Sequence, residues 1–140
     1  MHLLFNQQKL IIVRSAGELS VGAGPCMQSY HAQQWRHTPQ GRIRQDDFCL
    51  TMSEPEAGAP VIQNLCGQGE SGLQSQGWRR LRPSKAVRER TGLRGSQLRS
   101  EGSQGLCLDH RDIMGEGLQV RACDQESPHQ RFVFQYNSPT

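Results

Sequence analysis

Aromatic residues are scarce in this sequence, at 6% of 140 positions, and hydrophobic residues of all kinds reach only 34%. That is lean for a helical bundle, where every helix needs its own apolar stripe. It suits a fold of short strands and many turns, but it also approaches the composition of chains that bury too little to fold. No apolar run approaches the roughly 18 to 20 residues of a membrane span, so no transmembrane segment is expected. Met1-His2-Leu3-Leu4-Phe5 gives way at once to Asn6-Gln7-Gln8-Lys9, and no signal-peptide core or cleavage site is visible. Close cysteine pairs are missing too. None of Cys26, Cys49, Cys66, Cys107 and Cys123 forms a C-x-x-C, and no histidine pair completes a finger, so no metal and no cofactor are expected.

What the chain has instead is glycine, 15 residues of it, and an uneven charge. The net charge is +3, yet Arg79, Arg80, Arg82, Lys85, Arg88, Arg90, Arg94 and Arg99 form one cluster opposed only by Glu89. Half of the 16 basic residues therefore lie in one stretch, which reads as a solvated, mobile loop. A polyanion contact is the competing reading, but no aromatics are interleaved for base stacking, so no nucleic acid is expected. At this length the chain is one domain, residues 1–140, and a monomer is expected.

An internal repeat organises the chain. Gln-x-aromatic occurs as Gln33-Gln34-Trp35, Gln76-Gly77-Trp78 and Gln130-Arg131-Phe132. Cys26 lies nine residues before Trp35, and Cys123 nine before Phe132; Cys66 lies twelve before Trp78. Phe48-Cys49-Leu50-Thr51 and Leu106-Cys107-Leu108-Asp109 open the second and third copies alike. Cys49 and Cys66 are 17 residues apart and Cys107 and Cys123 are 16 apart, as if one disulfide had been made twice. Each closure of that length removes about 3 kcal/mol of unfolded-state entropy. Lys9-Leu10-Ile11 stands where a first opening belongs; either the first copy is degenerate, with Cys26 left without a partner, or it is truncated and residues 1 to about 18 are foreign to the fold. Three hairpin units, each too poor to bury a core alone, would pool Trp35, Trp78, Phe132, Leu50, Leu108, Leu118, Val120, Val61 and Ile62. Gly117 to Cys123 alternates like a half-buried strand, Arg131 to Tyr136 reads as a final strand, and no helix is expected.

These residues resemble the ricin B-type lectin repeat, with its Cys-Leu-Asp opening and Gln-x-Trp ending. Within that superfamily the chain is similar to the C-terminal lectin domain of polypeptide N-acetylgalactosaminyltransferases. The run from Gln40-Gly41-Arg42 to Phe48-Cys49-Leu50 has the style of that family's join between repeats, and Gly105-Leu106-Cys107-Leu108-Asp109 matches the opening of its third. The resemblance covers about 19–78 and 103–136. It implies an all-β fold, a β-trefoil of three Q-x-W repeats at about 9–40, 41–80 and 103–136, with a long basic insertion at about 79–102. The interval from Trp78 to Phe132 is 54 residues against 43 from Trp35 to Trp78, and that excess, with the irregular first repeat, suggests a truncated or alternatively spliced form or an imperfect gene model.

The resemblance further implies a carbohydrate-binding module of GalNAc or galactose type, serving mucin-type O-glycosylation in the Golgi lumen or secretory pathway. GalNAc-bearing glycopeptides or glycoproteins would be its partners. The family's catalytic domain is absent: no Asp-x-His metal motif occurs, and His110-Arg111-Asp112 reads as turn chemistry, so no catalytic residue and no enzyme activity are expected. In such lectins the aspartate of Cys-Leu-Asp accepts hydrogen bonds from neighbouring sugar hydroxyls. An aromatic two positions before the second cysteine stacks on the ring, and a polar residue precedes the Q-x-W glutamine. The first copy offers Ile11, Gly24 and Ala32 in those roles and the second Thr51, Asn64 and Ser75. The third keeps Asp109, with Arg121, His129 and Gln130, and is the expected sugar site. Asp109 could instead cap the turn 109–112, and the Q-x-W glutamines could be buried amides that tie hairpins. Two other readings stay open: a structural or protein-interaction trefoil with decayed sites, and a truncated product that folds poorly.

Overall fold

The computed structural model describes residues 2–4, 10–14, 21–25, 35–67, 74–112 and 117–135. Twelve strands run through these segments: β1 His2–Leu4, β2 Leu10–Arg14, β3 Val21–Pro25, β4 Arg36–His37, β5 Ile43–Gln45, β6 Phe48–Met52, β7 Val61–Leu65, β8 Trp78–Leu81, β9 Gln97–Ser100, β10 Leu106–Asp109, β11 Gln119–Ala122 and β12 Val133–Gln135. They form three four-stranded sheets, ordered β12-β1-β2-β3, β4-β5-β6-β7 and β8-β9-β10-β11, with antiparallel pairing throughout. The last strand completes the sheet begun by the first, so the chain closes on itself as a β-trefoil. Cys26, Gln33 and Gln34 lie outside the described residues, and so does the sequence-based assignment of Ala32.

The lobes are made by short hairpins. Gln45 pairs with Phe48 across a two-residue turn, where Asp46 takes φ 54°, a left-handed conformation that aspartate tolerates. Lobes are then stitched by isolated backbone bonds. Val61 N donates to Leu118 O at 2.8 Å, Gly58 N to Val120 O at 2.7 Å and Val120 N to Ala59 O at 3.0 Å. Ser96 and Phe132 exchange both of their bonds, at 2.8 and 2.9 Å. Gly95 permits that approach: it has φ 89°, and a Cβ there would stand 2.8 Å from the Phe132 carbonyl oxygen.

Trp35, Trp78 and Phe132 are buried together at the centre with Ile43, Leu50, Val61, Leu98, Leu108, Leu118 and Val120. Burial of each large side chain stabilises by about 1.5–3 kcal/mol. The Trp78 indole N–H, which burial would otherwise strand, donates to Leu50 O at 3.0 Å. Several expectations are corrected. Ile62 is only half-buried, because β7 turns Val61 and Gln63 inward, and Ile43 and Leu98 fill the core in its place. Gly117 to Val120 is buried without alternation, since the stitching to 58–61 covers its second face. The final strand covers Val133–Gln135, while Phe132 serves the bridge to Ser96.

The basic stretch is also rebuilt. Residues 79–102 are not an insertion between lobes: they hold most of β8 and all of β9, the first two strands of the third sheet. The excess length lies in the β8–β9 connection, 82–96, where the second lobe needs only 38–42. That connection is not a solvated loop without structure. It carries a helix at Lys85–Thr91, capped by Ser84, whose hydroxyl accepts from Val87 N at 3.2 Å, and ended by Gly92 at φ 71°. Val87 is the buried anchor of the helix. Arg88 and Arg90 sit in its last turn, where the helix dipole favours cations. No helix among the described residues is long and apolar enough to cross a membrane.

Candidate functional site

The end of β10 carries Asp109 opposite Gln119 of β11, in a hairpin whose register runs from Leu106↔Ala122 to Asp109↔Gln119. The Cys107–Cys123 disulfide closes one end of this hairpin. A short 3-10 helix, Pro128–Gln130, is capped by Ser127, which accepts from His129 N at 3.2 Å. It swings Gln130 under the hairpin, where the side chain is 1% exposed.

Gln130 satisfies every capacity of its amide. Its Nε2 donates to Asp109 Oδ2 at 3.2 Å and to Ala122 O at 2.9 Å, while Oε1 accepts from Asp124 N at 2.9 Å and Gln97 Nε2 at 3.2 Å. Gln76 repeats the pattern in the second lobe. Its Nε2 donates to Thr51 Oγ1 at 3.1 Å and Leu65 O at 2.8 Å, and Oε1 accepts from Gly67 N at 2.7 Å. In both lobes the amide binds the residue two positions after the first cysteine and the backbone on either side of the second. The Cys49–Cys66 and Cys107–Cys123 bridges span the same 5.0 Å between Cα atoms. These glutamines are clamps of the hairpin, the tying role weighed for them from the sequence.

Asp109 differs from Thr51 in what it can accept. Its side chain is 0% exposed, with Oδ1 receiving Arg111 N at 2.9 Å and Arg111 Nε at 3.2 Å, and Oδ2 receiving Arg111 Nη2 at 3.3 Å and the Gln130 amide. Arg111 thus closes over the carboxylate from outside, its own side chain 42% exposed. The bond from Arg111 N is an Asx-turn, so Asp109 does cap the turn as well as offering an acceptor. Thr51 has a single hydroxyl, which donates to Cys49 O at 2.9 Å and accepts from Gln76.

The other expected contacts distribute unevenly. Arg121 is half-buried, and its Nη2 donates to Gln119 Oε1 at 2.7 Å and Asp112 Oδ2 at 3.3 Å, bonds along the edge of the guanidinium that fix its orientation. His129 is exposed, and its ring meets His110 edge to face at 5.7 Å between centroids. His110 is buried against Phe132 at 5.4 Å. Burial first, and the neighbouring His129 second, lower its pKa to about 4 in spite of Asp109 beside it. In the second lobe Asn64 is exposed, with Oδ1 taken up by Leu65 N at 2.9 Å. Arg111, His110 and Gln119 are members of the site that spacing alone does not reveal. The Asp-x-Arg turn at 109–111 is the signal that could have found Arg111.

Residues 6–94 match the family profile described as the ricin-type beta-trefoil lectin domain. No curated protein sequence matches significantly. Among solved structures the chain is similar to the agglutinin from Abrus precatorius, with a TM-score of 0.69 and 18% identity over 94% of this chain and 44% of that one. It is equally similar to GalNAc-T7, crystallised with UDP, GalNAc and Mn2+, with a TM-score of 0.70 and 18% identity over 99% of this chain and 22% of that one. ThreeFoil, a designed three-fold symmetric protein, gives a TM-score of 0.67 at 18% identity and is covered over 93% of both chains. The chain therefore spans less than half of the agglutinin and about a fifth of GalNAc-T7.

Proposed function

The chain belongs to the ricin-type β-trefoil lectin domain family, and from that premise we propose that its third lobe is the sugar site, of galactose or N-acetylgalactosamine type. The observation that carries this reading is the Asp109 carboxylate. It is oriented by Gln130 from below and bonded from outside by the half-exposed Arg111. Withdrawal of the Arg111 guanidinium would expose one lone pair on each oxygen, a match for two adjacent hydroxyls. His129, exposed at the rim, supplies a further donor or acceptor. The second lobe has no equivalent, because Thr51 spends its one donor on Cys49 O and accepts from Gln76, which leaves a single neutral lone pair in place of a carboxylate. A single site of so few contacts binds a monosaccharide weakly.

In its biological setting this lectin would read GalNAc-bearing glycopeptides for a polypeptide GalNAc-transferase of the Golgi lumen. The two disulfides fit an oxidising compartment. A structural or protein-interaction trefoil is the second reading, and the closed state of Asp109, at 0% exposure, favours it. Calorimetric titration of the oxidised protein with galactose, GalNAc and a GalNAc-threonine peptide decides between them. Heat from GalNAc ligands that vanishes in Asp109→Asn is expected; silence from every ligand, also in Arg111→Ala, would leave the structural reading.

A further inference from the structure

The β8–β9 connection builds an open groove of about 890 Å3, within the size range of ligand sites. It is lined by Arg80, Arg82, Lys85, Arg88 and Arg94, against one carboxylate, Glu89. Two elements supply these cations. Arg80 and Arg82 are two apart on an extended segment and project to one side of it. Lys85 and Arg88 are three apart on the helix and share one of its faces. All five are exposed. Lys85 stands 3.9 Å from Glu89, while among the described residues no carboxylate pairs with Arg82, Arg88 or Arg94. Arg90, which does not line the groove, is neutralised by Glu126 at 2.6 Å. The helix thus pairs its outer arginine and leaves its groove arginine unpaired.

We propose that this groove binds a sulfated saccharide chain. Guanidinium groups match oxyanions with two parallel N–H bonds, and several cations spread around one groove suit a ligand with several anionic groups. Nucleic acid is the poorer fit, because the groove presents no aromatic plate: Phe132 lines it but is fully buried, and the apolar surface on offer is Val133. The groove shares no residue with the Asp109 site, so the proposal stands apart from the sugar-site reading.

The test uses the oxidised full chain and a heparin-derived hexasaccharide beside its desulfated counterpart, in low and physiological salt. Binding of the sulfated form alone, weakening as salt rises, is expected. The triple variant Arg82→Gln/Arg88→Gln/Arg94→Gln should bind at least about tenfold more weakly with an unchanged unfolding midpoint, since three charge-assisted contacts go together. Arg90→Gln, outside the groove, and Asp109→Asn should bind as the parent does. Equal binding of the desulfated chain, full binding by the triple variant, loss in Arg90→Gln, or equally tight binding of a single-stranded DNA of the same charge would each overturn the assignment.

Discussion

The second and third lobes carry the same clamp around different contents. Gln76 and Gln130 bind corresponding atoms in corresponding hairpins, and each hairpin is closed by its own disulfide. What differs is the group held: a neutral hydroxyl whose proton is spent on Cys49 O, or a carboxylate with an arginine folded over it. The Q-x-W glutamine thus belongs to the scaffold in both lobes. On the proposed reading, binding capacity rests on the one residue it holds and on what covers that residue.

The largest effect expected from this comparison concerns the clamps themselves. Gln130→Leu should cost about 4 kcal/mol and Gln76→Leu about 2 kcal/mol in denaturant unfolding, because only the first leaves a buried carboxylate short of a donor. Equal losses would mean that Asp109 does not depend on its amide. The disulfides should instead be interchangeable. Cys49→Ser/Cys66→Ser and Cys107→Ser/Cys123→Ser enclose loops of 17 and 16 residues and should each cost about 3 kcal/mol. Thr51→Asp would place a carboxylate in the second lobe without its arginine and should destabilise by about 2 kcal/mol. Adding Ser53→Arg, at the position corresponding to Arg111, should recover part of that loss in a double-mutant cycle.

The smallest effect is set by pH. His110 has a folded pKa near 4, against an ordinary value of 6.5, so between those values the unfolded chain binds more protons. Stability should therefore fall as pH drops from about 6.5 to about 4 and level off, for this group, below. With allowance for solvent screening beside the exposed His129, the change is about 1–2 kcal/mol. His110→Gln should flatten that part of the profile, which urea midpoints measured across the range would show.

Much of this was legible from residue spacing. Cysteines 17 and 16 apart mark the two bridges because a repeated hairpin repeats its closure, and the aromatics that end each repeat lie in the core because three lobes must share one centre. The third sheet was hidden by charge. Trp78-Arg79-Arg80-Leu81 is a strand whose two middle residues are exposed arginines, so it reads as part of a basic run. The helix at Lys85–Thr91 was hidden because Val87 is its one buried residue, too little for a helical period to be seen; its signals are the Ser84 and Gly92 caps. In the site, the sequence pointed to Asp109 and Gln130 but not to the cover. Arg111 lies over the carboxylate through a turn whose geometry no spacing rule records.

As proposed, saccharide capacity lies in the third lobe and nowhere in the second. Amide NMR shifts of the oxidised protein, titrated with a GalNAc-modified peptide, test it most directly. Saturable shifts are expected around 109–111, 119–121 and 128–130, none around 49–52 and 63–67, and no shifts in Asp109→Asn. Shifts centred on Thr51 and Gln76, or third-lobe shifts that persist in Asp109→Asn, would contradict it.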